Sequence, residues 1–342
     1  MTGRRSIRNL LIAAGIALAS LGTGEASAAC EVDRPVVIAG LNWDSNAFHA
    51  ALAARILKDG FGCRVEIATG STRPLFRMLM RGEIDVMMEV WKDNLPGLWQ
   101  RSQSDGSVVE LGINYPDAIQ GWFVPRYAVE GDDAPAAGLT AVADLPRYKQ
   151  VFADPENRRK GRFYNCMLGW GCEAINTAKL YAYGLNAHYN NFRPVSGDAL
   201  MRAISELYAR QEPFLTYHWG PTWVLGAYDL VMLEEPPYDP DVWAKLGRSR
   251  KPEAATAYPV SEISIAVNRG FRKAAPEISA FLGLYRTSNR LTSEALAVMH
   301  RQGKAPQEAA LWFLRQKPDV WQAWLPADIA AKVAASAGGD EG

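Results

Sequence analysis

From residue 36 onward, short runs of strand-forming residues alternate with helical patterns. Apolar runs at 36–41, 63–68 and 84–90 predict buried strands. A helix that Ser45 can cap is predicted after the first strand, and a second helix is predicted from about residue 71 until a stop at Gly82. The order strand, helix, strand, helix, strand is typical of right-handed βαβ units. The sequence therefore predicts an α/β fold with a mainly parallel sheet.

A second α/β series follows an acidic loop of small residues at 130–138. It contains predicted helices at 173–183 and 198–209 and a predicted strand at 214–217. A strand at 263–267 is expected to return to the first sheet, and helices fill the remainder. With 342 residues, of which 48% are hydrophobic and 22% charged, the chain suits about two lobes around separate cores.

The first 28 residues differ from the rest in composition. Basic residues at positions 4, 5 and 8 precede an apolar run from Leu10 to Leu21, and small residues end at Ala28. This order is typical of a cleaved signal peptide, by the Sec or the twin-arginine route, and predicts a periplasmic protein. The remaining chain has a net charge of about −2, which gives no electrostatic footprint for nucleic acid. No later apolar run is long enough to predict a transmembrane helix.

The chain contains four cysteines, and an even number in an exported protein predicts two disulfides among three possible pairings. Cys30 precedes the first predicted strand and Cys63 opens the second. Neighbouring parallel strands lie about 4.8 Å apart, which is within disulfide range, so this pairing is favoured. A lipidated Cys30 is the alternative. Cys166 and Cys172 are six residues apart and can close a small loop around Trp170.

Several of the eleven tryptophans lie where a ligand would be expected. Trp43 follows the first predicted strand and Trp91 follows the third, so both belong to the edge of the sheet where α/β proteins bind ligands. Trp170 lies between two glycines before a predicted helix. Converging indole faces attract a quaternary ammonium group, which has no hydrogen-bond donor, at about 0.5 to 2 kcal/mol per ring. The backbone N–H groups of Gly171 and Cys172 at the start of that helix could bind a ligand carboxylate.

Three segments resemble the glycine betaine- and proline betaine-binding proteins of ABC importers. They are Gly169-Trp170-Gly171-Cys172-Glu173, Tyr217-His218-Trp219-Gly220-Pro221-Thr222-Trp223, and the strand end Val90-Trp91. The resemblance implies a type II periplasmic-binding-protein clamshell with two hinge crossovers, with residues 29–122 plus 262–342 as lobe I and 123–261 as lobe II. It also implies an aromatic box of Trp91, Trp170 and Trp219, carboxylate contacts from Gly171 and Cys172, and a disulfide between Cys166 and Cys172.

Two departures leave the ligand open. Leu95 occupies a position where several relatives have a histidine, and Trp43-Asp44 resembles the choline-binding branch, which makes Asp44 a candidate ligand contact. Choline, carnitine and other betaines therefore stay possible. Asp44 and Glu89 could also counter a cation directly, but a carboxylate at a strand end is more often solvated, and Glu89 is interpreted in this way.

The expected partners are a small quaternary ammonium ligand and the permease subunits at the inner membrane, and a monomer is expected. The sequence has no nucleophile elbow, no HExxH motif and no phosphate-binding loop, so an enzyme is not expected. No cofactor is expected, and the four histidines lack metal-ligand spacing. The alternatives are a sensory receptor on the same clamshell and a pocket altered to bind another small solute.

Overall fold

The computed structural model describes Met1 and residues 30–246, 248–249 and 251–339. Apart from Met1, the predicted signal peptide lies outside these residues. The strands are β1 (Val36–Leu41), β2 (Val65–Gly70), β3 (Val86–Val90), β4 (Val108–Pro125), β5 (Ala153–Asp154), β6 (Asn157–Tyr164), β7 (Tyr189–Phe192), β8 (Leu215–Gly220), β9 (Leu230–Met232) and β10 (Ser261–Asn268). The helices are α1 (Asp44–Asp59), α2 (Thr72–Arg81), α3 (Pro96–Ser104), α4 (Arg126–Val129), α5 (Gly171–Ala182), α6 (Gly197–Ala209), α7 (Trp223–Ala227), α8 (Pro240–Leu246), α9 (Arg269–Ala274), α10 (Pro276–Leu284), α11 (Asn289–Gln302), α12 (Pro306–Gln316), α13 (Pro318–Trp321) and α14 (Ala327–Gly339).

The strands follow the order β2-β1-β3-β10-β4-β8-β6-β5, with β7 beside β6 and β9 beside β4. In the first part, β1 is parallel to β2 and β3, and β10 runs antiparallel between β3 and β4. In the second part, β6 is parallel to β7 and β8. The α/β class and the parallel pairing of the first three strands are thereby confirmed.

Strand β4 links the two parts of the sheet. Its residues 108–118 pair with β10, and its residues 119–123 pair with β8. We call the elements around β1, β2, β3 and β10 lobe I, and those around β5 to β9 lobe II. Each lobe has its own core. One cluster of buried side chains packs α1, α10 and α12 against β1 and β10, and another contains Phe163, Leu200 and Leu215. No helix in the described residues has the length and apolar character needed to cross a bilayer.

Most predicted element boundaries are close to the observed ones. Helix α2 ends as expected at Gly82, whose φ of 78° is left-handed, and the Ser196 hydroxyl caps α6 by accepting from the Ala199 N–H. The predicted cap at Ser45 was wrong, because α1 begins at Asp44 and its cap position is Trp43, two residues earlier. The eighteen residues of β4 were not predicted, since polar residues interrupt its apolar pattern.

Both expected disulfides are present. Cys30 and Cys63 join the segment before β1 to the loop before β2, with their Cα atoms 4.8 Å apart. Cys166 and Cys172 close the loop that carries Trp170, with their Cα atoms 6.1 Å apart. The first disulfide therefore lies within lobe I, and the second lies at the border of the cleft between the lobes.

Candidate functional site

A small cavity lies between the lobes, at the carboxyl ends of the parallel strands. Its volume, with its mouth included, is about 330 Å³, at the small end of the range for ligand pockets. The lining side chains are mainly aromatic, with a few polar groups among them. They are Trp43, Thr72, Trp91, Asn94, Trp170, Gly171, Cys172, Tyr217 and Trp219.

The two lobes contribute different walls of the cavity. Trp43 follows β1 and Trp91 follows β3, so the pairing of these two strands places both indoles on one wall in lobe I. Trp170 precedes α5 and Trp219 lies near the end of β8, both in lobe II. The structure therefore brings together the four tryptophans that were predicted from the sequence, and we call them the tryptophan cage.

Neighbouring indoles of the cage meet at nearly right angles. The ring centroids of Trp43 and Trp170 are 5.4 Å apart at 82°, and those of Trp170 and Trp219 are 5.2 Å apart at 88°. Tyr217 lies nearly parallel to Trp219, at 6.0 Å and 22°. Edge-to-face packing of aromatic rings is favourable in itself. It also gives neighbouring rings different orientations around the cavity.

The indole N–H groups of three cage tryptophans are bonded to protein. The Nε1 atoms of Trp43 and Trp91 donate to Oε2 of Glu89, at 2.7 Å and 3.3 Å. Nε1 of Trp170 donates to Oδ1 of Asn42, at 2.7 Å. Because these donors are already satisfied, the three rings have no free N–H group to offer a ligand.

Glu89 itself is fully buried, so its interpretation as a solvated carboxylate was wrong. Its Oε2 also accepts from the Ser45 hydroxyl at 3.2 Å, and Nε2 of His49 lies 3.8 Å from its Oε1. Burial raises the pKa of Glu89 to about 7 and lowers the pKa of His49 to about 3. A glutamate inside the apolar run Val86–Val90 was the sequence signal for this site.

The opposite end of the cavity is polar and is formed by the start of α5. Gly171 and Cys172 are its first two residues, and no side chain caps this helix. The first N–H groups of a helix have no partner within the helix, so those of Gly171 and Cys172 are available to an anionic or hydroxyl group. Gly169 has a φ of 97° and a Cβ there would lie 2.4 Å from Oγ of Ser71, so glycine is required for this close approach.

Asn94 and Thr72 are the polar side chains of lobe I that line the cavity. Nδ2 of Asn94 donates to Oε1 of Gln120 at 2.7 Å, and the Tyr217 hydroxyl donates to the same oxygen at 2.8 Å. Within the described residues, Oδ1 of Asn94 is buried without a hydrogen-bond partner. Leu95, at the position where relatives have histidine, is buried in the lobe I core.

Asp44 does not line the tryptophan cage. It lies in a neighbouring cavity together with Asn42, Ser196 and Asp198, on the other side of Trp43. Burial and the nearby Asp198 raise the pKa of Asp44, while a hydrogen bond from Trp223 opposes this shift. Its role as a ligand contact stays a prediction. In the part of the chain that the structure describes, no group of three or more His, Cys, Asp or Glu side chains could hold a metal ion.

Three known proteins illustrate the similarity of the chain to binding proteins. The glycine betaine-binding periplasmic protein OusX of Dickeya dadantii is 22% identical over 64% of this chain, and the match spans 65% of that relative's length. Lactococcal OpuAC, in its closed conformation with glycine betaine, has a TM-score of 0.67 at 20% identity, over 86% of this chain and all of OpuAC. A choline-binding protein of an ABC transporter, in complex with choline, has a TM-score of 0.73 at 17% identity, over 89% of this chain and 98% of that protein. The two structural likenesses establish the fold.

The family assignment rests on a longer match. Residues 34–316 match the OpuAC family, described as the substrate-binding domain of the ABC-type glycine betaine transport system. This range includes both lobes and all four cage tryptophans. The chain belongs to this family of substrate-binding domains.

Proposed function

We propose that this protein is the periplasmic receptor of an ABC importer and captures a small quaternary ammonium compound. Glycine betaine, proline betaine, choline and carnitine are the candidate ligands. The observation that carries the proposal is the tryptophan cage, in which four tryptophans line one small cavity and three of them donate their indole N–H groups to protein oxygens. A trimethylammonium group needs no hydrogen bond and gains from each aromatic face.

The cage supplies part of the binding free energy that such a receptor needs. At about 0.5 to 2 kcal/mol per ring, four rings contribute several kcal/mol of the roughly 8 kcal/mol that a micromolar dissociation constant requires. The remainder comes from the polar end of the cavity. There, the N–H groups of Gly171 and Cys172 and the helix dipole of α5 bind a carboxylate or hydroxyl on the ligand.

Ligand binding and lobe closure are coupled in this proposal. Trp43 and Trp91 belong to lobe I, whereas Trp170 and Trp219 belong to lobe II, so the cage is complete only when the lobes meet. The ligand therefore stabilises the closed form to the extent that it prefers that form. The closed form is the one that a permease at the inner membrane recognises and unloads.

The remaining parts of the proposal concern location and organisation. A cleaved signal peptide over residues 1–28 directs the chain to the periplasm, where its two disulfides are stable. Lobe I comprises residues 29–122 and 262–342, lobe II comprises residues 123–261, and the two crossovers between them act as hinges. The protein works as a monomer, without a catalytic step.

Calorimetric titration of the ligand-free protein with the four candidate ligands tests the proposed function. Intrinsic tryptophan fluorescence is recorded in parallel, because a ligand in the cage must perturb the indoles. We expect at least one ligand to bind in the micromolar range or tighter with a change in fluorescence. Absence of binding by all four would contradict the proposed ligand class.

A further inference from the structure

Glu89 is a buried carboxyl group directly behind the lobe I wall of the tryptophan cage. Its side chain has no exposed surface, and one oxygen, Oε2, accepts from the indoles of both Trp43 and Trp91. The other oxygen, Oε1, has no hydrogen-bond partner among the described residues. Glu89 is therefore linked to both lobe I indoles and to no other part of the cavity wall.

Glu89 lacks a permanent cationic partner. Its one ion-pair contact within the described residues is to His49, at 3.8 Å, and burial lowers the pKa of that histidine to about 3. A buried carboxylate without a compensating charge is costly, and glutamate is rarely buried completely unless it is paired. A cation bound in the cage would supply the missing positive charge, on the other side of two indole rings.

The hydrogen bonds to the indoles increase this effect. A carboxylate that accepts an indole N–H polarises the ring, which makes a ring face at the cavity more electron-rich. A cation on that face is attracted by the ring and by the carboxylate behind it, and the low dielectric of the site strengthens both attractions. A neutral molecule of the same shape gains the apolar contacts only.

We propose that Glu89 is the residue that makes the tryptophan cage prefer a positively charged ligand over a neutral ligand of the same shape. The inference rests on the proposed function, because it requires a quaternary ammonium ligand in the cage. It assigns to Glu89 a role in specificity through Trp43 and Trp91, without direct contact with the ligand.

The test compares each cation with its carbon isostere. Choline is paired with 3,3-dimethylbutan-1-ol, and glycine betaine is paired with 3,3-dimethylbutanoate, so that only the charge of the quaternary centre differs. Affinities of the parent protein and of Glu89→Gln are measured at pH 8 by tryptophan fluorescence. We expect the ratio of cation affinity to isostere affinity to fall by about tenfold in Glu89→Gln, which is about 1.4 kcal/mol.

Asp85→Asn is the matched control. Asp85 is also a buried carboxyl group, but it precedes β3 at the end opposite to the cage and pairs with Arg34. The Asp85→Asn variant should leave the ratio of cation affinity to isostere affinity unchanged. An equal loss of affinity for the cation and the isostere in Glu89→Gln would overturn the proposal, because Glu89 would then only hold the rings in place. Absence of binding of all four candidate ligands to the parent protein would overturn the proposed function as well.

A second measurement needs no variant. Burial raises the pKa of Glu89 to about 7, so its charge increases between pH 5.5 and 8.5. The titratable groups around it stay neutral in this range, because burial lowers the pKa of His49 and raises the pKa of Tyr115 and of Tyr285. Affinity for choline should therefore rise with pH, while affinity for 3,3-dimethylbutan-1-ol stays constant. If the ratio of choline affinity to 3,3-dimethylbutan-1-ol affinity were independent of pH in the parent protein, the proposal would be overturned.

Discussion

The indole N–H of Trp170 in lobe II donates a 2.7 Å hydrogen bond to Oδ1 of Asn42 in lobe I. Nδ2 of the same asparagine lies 3.0 Å from Sδ of Met167, also in lobe II. Asn42 follows β1 directly and precedes Trp43, so a single turn of lobe I contributes one cage indole and fixes another. In the proposed coupling of binding to lobe closure, this hydrogen bond forms only in the closed form.

Replacement of Asn42 by alanine should weaken ligand binding through loss of this contact across the cleft. A hydrogen bond of this kind contributes about 0.5 to 1.5 kcal/mol, so we expect the dissociation constant to rise by about two- to tenfold. The dissociation rate, measured by stopped-flow fluorescence, should carry most of the change. Asn186→Ala, on the surface of lobe II, is the control. Equal dissociation rates in Asn42→Ala and the parent protein would argue against a role of Asn42 in closure.

Truncation of a cage tryptophan should reduce affinity in a protein that still folds. Trp219 is almost completely buried at the cavity, and its ring packs edge to face against Trp170. We expect Trp219→Ala to cost about 1 to 2 kcal/mol or more in binding, as measured by calorimetry. Trp312→Ala, outside the cavity, should leave the affinity unchanged. If Trp219→Ala is folded and binds like the parent protein, the cage is not the ligand site.

The two disulfides should differ in their effects on ligand binding and on stability. Loop-closure entropy predicts that the free energy of unfolding falls by about 2 kcal/mol in the double variant Cys166→Ala, Cys172→Ala. In the double variant Cys30→Ala, Cys63→Ala it should fall by about 4 kcal/mol. Only the first pair fixes the loop that carries Trp170. We therefore expect weaker ligand binding in the first double variant and nearly normal binding in the second. The stability of both variants is measured by denaturant unfolding. Equal affinities in the two variants would contradict the role of the loop.

The sequence sufficed to predict the parts of the site that depend on local order. Parallel pairing of β1 with β3 places Trp43 and Trp91 at one edge of the sheet, and the glycines around Trp170 indicate a loop before a helix where the backbone can approach a ligand. The two disulfides also follow from short-range or strand-level arguments. Each of these predictions requires only the neighbouring elements, and each agrees with the structure.

The residues that sequence reasoning missed act across larger distances. Asn42 contacts a loop more than a hundred residues away, and Asn94 depends on Gln120 and Tyr217 for its orientation. Glu89 was assigned to solvent because a carboxylate at a strand end is more often solvated. Instead, the indole of Trp43 covers it. These contacts depend on how the lobes and loops pack, which the period of apolar residues does not encode.

Buried neutral histidines should make the ligand-free protein sensitive to acid. His218 is fully buried beside Trp219, and burial lowers its pKa to about 3. The unfolded chain binds a proton near pH 6.5, so the stability that His218 contributes is present above pH 6.5 and is lost as the pH falls toward 3. The slope is up to about 1.4 kcal/mol per pH unit. His49, with a pKa also lowered to about 3, acts in the same direction, whereas Glu89, with a raised pKa, acts in the opposite direction.

The variant His218→Phe isolates one of these contributions. Its free energy of unfolding, from urea titrations at pH 7, 5.5 and 4, should fall less with acidification than that of the parent protein. His188→Phe, at a half-buried position on lobe II, is the control. Parallel curves for His218→Phe and the parent protein would show that His218 is already protonated in the folded state.

Asn94 should determine which group on the ligand is accepted at the polar end of the cavity. A ligand hydroxyl can donate to the free Oδ1 of Asn94 and accept from the N–H groups at the start of α5, whereas a carboxylate can only accept. Asn94→Asp adds a negative charge at this point. We expect its affinity for glycine betaine to fall by about tenfold or more through repulsion, and its affinity for choline to fall much less.

The measurement is the ratio of the choline affinity to the glycine betaine affinity in Asn94→Asp, Asn94→Leu and the parent protein. Asn94→Leu removes the acceptor without adding charge, so it should reduce the affinity for choline more than that for glycine betaine and move the ratio in the opposite direction. If this ratio changes in opposite directions in the two variants, Asn94 must face the end of the ligand that carries the hydroxyl of choline or the carboxylate of glycine betaine. Equal losses for both ligands in both variants would mean that Asn94 only supports Gln120 and Tyr217 behind the cavity wall.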